Sequence, residues 1–212
     1  MPSRTTSART PSDRTPSART SGPPKRSARV LLLEAAARLF YAQGMGATGI
    51  DAITAEAGVA KKSLYNNFAS KAELAAAYLE ARHAEWLGLY RRRVEDAQTP
   101  RDRVLAVFDA YADHANFAYQ DGFRGCGLLN AAAELPAGAP GRLAVRKHKE
   151  EVEELLARHV AEMMPGEDER AAGLARHLAF LLEGAMARAG LEGNDERLKE
   201  CRVIAVRLLA EL

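Results

Sequence analysis

The chain is poor in the residues that mark several protein classes. Of its 212 residues only two are cysteine, Cys126 and Cys201, and one is tryptophan. Two thiols make no disulfide framework and show no zinc-finger spacing, so a reducing cytoplasm is the expected compartment. No apolar run approaches the ~20 residues that a membrane span needs. The N-terminus carries charge with no apolar stretch behind it, which argues against a secretory leader. Alternation of apolar and polar residues is nowhere sustained, so strands are not expected. The GxSxG, HExxH, Walker and dinucleotide-binding motifs are missing too. Five histidines, His83, His114, His148, His159 and His177, lie scattered, and His159 with Glu162 is too little to define a metal site. No catalytic residue, metal or cofactor is expected, and the chain does not read as an enzyme.

What is present is an apolar fraction of 47%, enough for a real core. Net charge is only +2, but it is unevenly placed. Residues 1–29 hold seven basic side chains against Asp13 alone, a charge of +6, which leaves −4 on residues 30–212. A basic arm on a mildly acidic body suits a polyanionic partner. A solvated arm that only aids solubility is the plainer alternative. Residues 1–24 repeat Ser, Ala, Arg, Thr and Pro with almost nothing to bury, so a disordered basic tail is expected there.

From Ser27 onward the apolar period becomes helical. Leu32, Leu33, Ala36, Leu39 and Phe40 form one stripe of a first helix ending at Gly44. Thr48 with Asp51 three residues on reads as the N-cap of a second helix with Ile50, Ile53 and Ala57 inward, closed by Gly58. A short helix is expected over 61–68. Ser70 with Glu73 then makes a capping box that starts a fourth at Lys71. Thr99-Pro100-Arg101-Asp102 launches another through Val104, Val107, Phe108 and Tyr111. A Gly-punctuated stretch precedes "LLNAAAELP", and long helices follow at 140 to about 164, 168–190 and 195–211. The sum is an all-α protein of about nine helices.

A helix of about nine residues, a Gly-containing turn and a second short helix have the spacing of a helix-turn-helix. Leu64 and Phe68 would seat the second helix against Ile53 and Val59. Its outer side then offers Lys62, Ser63, Asn66 and Asn67, flanked by Tyr65. Lysine supplies charge for phosphate, hydroxyls reach phosphate oxygens, and Asn pairs with an adenine edge. Lys61 and Lys62 sit at the helix end where the dipole disfavours cations, a placement that an arriving phosphate would relieve. A solvated helix with incidental lysines is the alternative that spacing alone leaves open.

The stretch from about Ala28 to Leu79, above all "GATGIDAITAEAGVAKKSLYNNFASKAELAAAYL", resembles the DNA-binding domain of TetR-family transcriptional regulators. The resemblance implies that Thr48 and Lys71 touch phosphate, that Lys62, Ser63 and Asn66 lie toward the bases, and that Tyr65 braces the sugar-phosphate. Lys62 stands where such proteins often have a small residue and Asn66 where His is frequent, so no operator sequence carries over. The implied plan is a disordered tail at 1–24, a helix-turn-helix domain at 25–70 and a helical effector-binding and dimerisation domain at 71–212.

Two late stripes bear on dimerisation. One holds Leu174, Leu178, Leu181, Leu182, Ala185 and Met186; the other includes Ile204 and Leu208. Both either complete the protomer core or pack as a four-helix interface with Gly184 and Ala185 allowing close approach. The resemblance favours the interface. Between head and interface, Trp86, Tyr90, Phe108, Tyr111, His114 and Phe117 are candidates to line an effector pocket. Cys126, Asn130 and Glu134 recur every four residues on an Ala- and Leu-rich helix and need partners, which either a ligand or the protein itself supplies. The expected function is a TetR-like regulator, binding double-stranded palindromic DNA as a homodimer and released, as a repressor, by an unknown small molecule. An effector-independent architectural or scaffold DNA-binding protein is the rival reading.

Overall fold

A computed structural model describes residues 26–117, 119 and 121–212. The basic tail expected over 1–24 lies outside them. Among the described residues nine helices and no strand are found: α1 Ala28–Gln43, α2 Ile50–Ala57, α3 Lys61–Asn67, α4 Lys71–Glu95, α5 Pro100–Ala115, α6 Gly127–Ala133, α7 Pro140–Met163, α8 Asp168–Glu192 and α9 Glu196–Leu208.

Local chemistry sets most of the boundaries. Ser27 caps α1 by accepting the Val30 N–H, and α1 gives way at Gly44, whose φ of 94° suits a residue without a Cβ. Thr99 and Asp102 complete a reciprocal capping box ahead of Pro100. At α4 the box is displaced by one residue. Ser70 accepts from the Glu73 N–H at 3.1 Å, while the Glu73 carboxylate takes the Ala69 N–H at 2.7 Å. The expected cap at Thr48 is corrected: Gly49 is the N-cap of α2 and contributes no side-chain bond.

Helices α1, α2 and α3 pack on one another, and α1 also rests on α4 and α6. Farther along, α7 lies against α8, and α5 sits among α4, α7 and α9. The buried stripe of α1, Leu32, Ala35, Ala36 and Phe40, meets Ile53, Leu64, Phe68 and Tyr78 in a core continuous with Trp86, Tyr111, Leu156 and Leu178. This is an N-terminal helix-turn-helix domain joined to a larger helical domain, with the long α4 as the direct covalent link. Among the described residues no helix is long and apolar enough to cross a membrane.

Candidate nucleic-acid interface

Seven residues of α3 must both anchor the helix and leave a face free. Leu64 is fully buried and Phe68, just past the helix, is 1% exposed. Ile53 lies beneath them at 0% exposure. Gly58 closes α2 with φ 64°, and the Val59 N–H donates to the Thr54 carbonyl, turning the chain into α3. Arg29 of α1 clamps the far end: its guanidinium stands 4.3 Å over the Phe68 ring and donates to the Asn67 carbonyl at 2.9 Å.

With the inner face fixed, Lys61, Lys62, Tyr65 and Asn66 are exposed and Ser63 is half-buried. Lys62, Tyr65 and Asn66, three and four residues apart, share one side of α3. Lys61 is ion-paired with Asp51 at 2.7 Å, a contact that raises its pKa and eases the unfavourable position of a cation at a helix N-terminus. Lys71 turns its Nζ toward the Gly46 carbonyl at 3.4 Å. Asn67 does not join the outer face, because its amide donates to the Ser63 carbonyl at 2.7 Å. Thr48 departs further. Its side chain is 1% exposed and its hydroxyl serves the carbonyls of Gly44 at 2.7 Å and Leu39 at 3.3 Å. That hydroxyl fastens the turn before α2 and is turned inward to those two carbonyls.

The residues expected around an effector pocket separate into two groups. Trp86, Tyr111, His114 and Cys126 line a central cavity together with Arg82, His83, Gly127, Leu128, His148, Lys149, Val152 and Met186. Its free volume is about 30 Å³, room for about two waters. Three nitrogens of its lining residues, Arg82 Nε, Trp86 Nε1 and His148 Nδ1, are buried without a hydrogen-bond partner. Behind them the His83 and His148 rings stack at 4.0 Å, each held by a carboxylate: Glu151 at 2.7 Å and Glu80 at 3.2 Å. Burial, reinforced by the neighbouring His83, lowers the His148 pKa.

The others lie elsewhere. Phe108 is core, 1% exposed. Tyr90 bonds His159 through its hydroxyl at 2.7 Å. Phe117 borders an open groove between α1 and α4. Asn130 donates to the Arg124 carbonyl at 3.0 Å, and Glu134 is exposed and accepts from the Met45 and Gly46 amides. The four-residue spacing of Cys126, Asn130 and Glu134 leaves a ligand or the protein itself as their partner, and for Asn130 and Glu134 the protein supplies it. Cys126 precedes α6 and Glu134 follows it, so the three meet different neighbours.

Sequence reasoning also missed a half-buried ion pair. Lys149 Nζ lies 2.8 Å from Glu183 Oε1 and 3.2 Å from the Tyr111 hydroxyl. Burial opposes the Lys149 charge, but Cys126, Tyr111 and Glu183 outweigh it, and the pKa is raised. The signal was one of two lysines in the charged run 146–154, which spacing could not single out.

On the late helices, Leu178, Leu182 and Met186 are at most 1% exposed within a single protomer, so they complete its core and are not available to a second chain. Leu174, Leu181, Ala185 and Leu208 are half-buried. Ile204 is exposed, and so are two apolar residues of α8 and α9 not anticipated from the sequence: Phe180 at 66% and Val203 at 50%.

A short helix pinned from below, with cationic, hydroxyl and amide groups turned outward, defines a helix-turn-helix DNA reader. Residues 32–78 match the model of bacterial regulatory proteins of the tetR family. The crystal structure of a TetR-family transcriptional regulator from Streptomyces coelicolor is 32% identical, with a TM-score of 0.76, over 86% of this chain and 94% of that one. The chain belongs to the TetR family of DNA-binding transcriptional regulators, which are not enzymes. Among curated relatives, the HTH-type transcriptional activator FasR of Mycolicibacterium smegmatis is 34% identical over 90 residues, 42% of this chain and 41% of FasR. The HTH-type transcriptional repressor KstR2 of Mycobacterium tuberculosis is 38% identical over 85 residues, 40% of this chain and 42% of KstR2. The match therefore spans less than half the length of either curated relative.

Proposed function

We propose that the protein is a homodimeric repressor that reads palindromic half-sites with α3 and leaves them when a small molecule enters the central cavity. The observation that carries the DNA-reading part is the exposed Lys62, Tyr65 and Asn66, with the half-buried Ser63, over a base of Leu64 and Phe68. In this scheme Lys62, Ser63 and Asn66 face base edges, while Lys61, Tyr65 and Lys71 hold the backbone. Residues 25–70 form the reading domain and 71–212 the regulatory one. The exposed Phe180, Val203 and Ile204, with Gly184 one turn from Phe180 on α8 and open space where its Cβ would be, supply the dimer face. Because one curated relative is an activator and the other a repressor, repression rests on the general habit of such regulators.

An effector is favoured by the three unpartnered nitrogens of the residues lining the cavity, since buried polar groups are ordinarily paired. Ligand entry must widen a space of about 30 Å³. That small volume favours the second reading, a DNA-binding protein that needs no effector. Selecting fragments of the source genome on the purified protein, then adding candidate small molecules to the bound duplex, tests both. Recovery of a palindrome released by a compound supports the sensor; a palindrome that no bound compound releases supports the effector-independent form. Failure to enrich any sequence rejects the regulator reading.

A further inference from the structure

The turn between α1 and α2 is held from outside by residues that follow it by some ninety positions. Glu134, at the C-terminal end of α6, accepts the Met45 N–H at 2.9 Å and the Gly46 N–H at 2.6 Å, one through each carboxylate oxygen. The approach depends on glycine. A Cβ at Gly44 would stand 2.8 Å from one carboxylate oxygen, and one at Gly46 would stand 3.2 Å from the other. At the other end of the same segment, Arg124 donates to the Tyr41 carbonyl at 2.8 Å and to the Ala42 carbonyl, in the last turn of α1. The Tyr41 hydroxyl accepts the Arg124 N–H at 2.6 Å and donates to the Gly125 carbonyl at 3.1 Å.

Each charge meets backbone groups of opposite polarity. The end of a helix presents carbonyls without intrahelical partners, which attract a cation, and the amides just beyond them attract an anion. Arg124 takes the carbonyls and Glu134 the amides, so the turn is gripped at two points. The grip is anchored to the larger domain. Gly125 packs backbone to backbone against Gly190 of α8, and Asn130 ties the Arg124 carbonyl to α6. The same turn holds Thr48 and receives Lys71, and it leads directly into α2.

We infer that Glu134 and Arg124 are positioning residues for DNA binding: they clamp the α1–α2 turn to the regulatory domain and thereby fix the angle at which α3 is presented. The inference rests on the dimeric, two-half-site reading above and adds what sets the spacing between heads. Cys126, Gly127 and Leu128, at the opposite end of α6, line the central cavity, so one short helix touches both the cavity and the clamp.

The test is a duplex library in which the genomic half-sites are moved apart or together by one and two base pairs, bound by the intact protein and by Glu134→Ala, Glu134→Gln and Arg124→Ala. Wild type should prefer one spacing. Glu134→Ala and Arg124→Ala should flatten that preference by about tenfold, and Glu134→Gln, which keeps a carbonyl acceptor, should restore part of it. Faster hydrogen exchange at Met45 and Gly46 in the folded Glu134→Ala protein should accompany the change. A residue that only added stability would lower Tm and leave the spacing preference as sharp as before, and that result overturns the clamp. If wild type itself shows no spacing optimum, the two-half-site reading fails and the clamp's role fails with it.

Discussion

Lys61 reaches back across the motif to Asp51, its Nζ 2.7 Å from Oδ1, so one of the two lysines opening α3 is neutralised by α2 before any duplex arrives. Both partners are largely exposed, and the pair is worth little to stability. Its effect should lie in association. Replacing Asp51 with Asn removes a negative charge from the DNA-facing side and frees Lys61 for phosphate. Binding should tighten, and the plot of log affinity against log salt should steepen by about 0.9 for one added phosphate contact. Fluorescence anisotropy across a salt series measures both. An unchanged slope would mean that Lys61 does not reach the backbone.

Lys62 and Asn66 should differ from Lys71 in the kind of loss they produce. Lys62→Ala and Asn66→Ala should change which bases are preferred, at about 1–3 kcal/mol for each lost base contact. Lys71→Ala should weaken all duplexes alike and flatten the salt dependence by about one phosphate. Comparing selected sequences and salt slopes for the three variants separates the roles.

Acid should destabilise the protein before its carboxylates titrate. Burial is the leading cause of the lowered pKa values of His148 and His159. The unfolded chain, with histidines near pKa 6.5, then binds protons that the folded state withholds. Stability is therefore full above about pH 6.5 and falls as pH drops through that value, levelling once the folded-state pKa values are passed. Glu162, whose pKa is lowered by its bond to His159, loses its contribution only in the acid range of carboxylates. Thermal melts at pH 7.5, 6.5 and 5.5 should show Tm falling, and His148→Gln should reduce the drop. A flat Tm over this range would contradict the assignment.

The outer faces of α8 and α9 should respond unlike their inner faces. Phe180→Arg or Ile204→Arg changes a group already in solvent and should leave the protomer folded while shifting sedimentation toward the monomer. Leu182→Ala removes a side chain that is 1% exposed and should cost about 2–5 kcal/mol of stability. A Phe180→Arg protein that still sediments as a dimer would place the interface elsewhere.

Much of this architecture can be read from the chain because its signals are local. Pro100 after Thr99, the glycines at 44 and 58, and the Leu64–Phe68 pair announce their roles within a few residues. The failures are equally physical. On a helix with apolar groups on two sides, the sequence does not say which side meets its own protomer, so Leu178, Leu182 and Met186 were grouped with residues that do face outward. Thr48 looked like a cap because capping residues and turn-fastening residues are chemically alike. The bond between Lys149 and Glu183, and the reach of Glu134 to Met45, join positions far apart in the chain; only the packing of α7 on α8 and of α6 on α1 brings them together.

Trp86 is the chain's sole tryptophan and stands in the wall of the central cavity with its ring N–H unbonded. All indole emission from the protein must therefore originate at that one wall. The molecule carries its own optical gauge: any compound that settles there, or any water expelled from it, should alter the colour or brightness of a single chromophore, and no dye need be attached to see it.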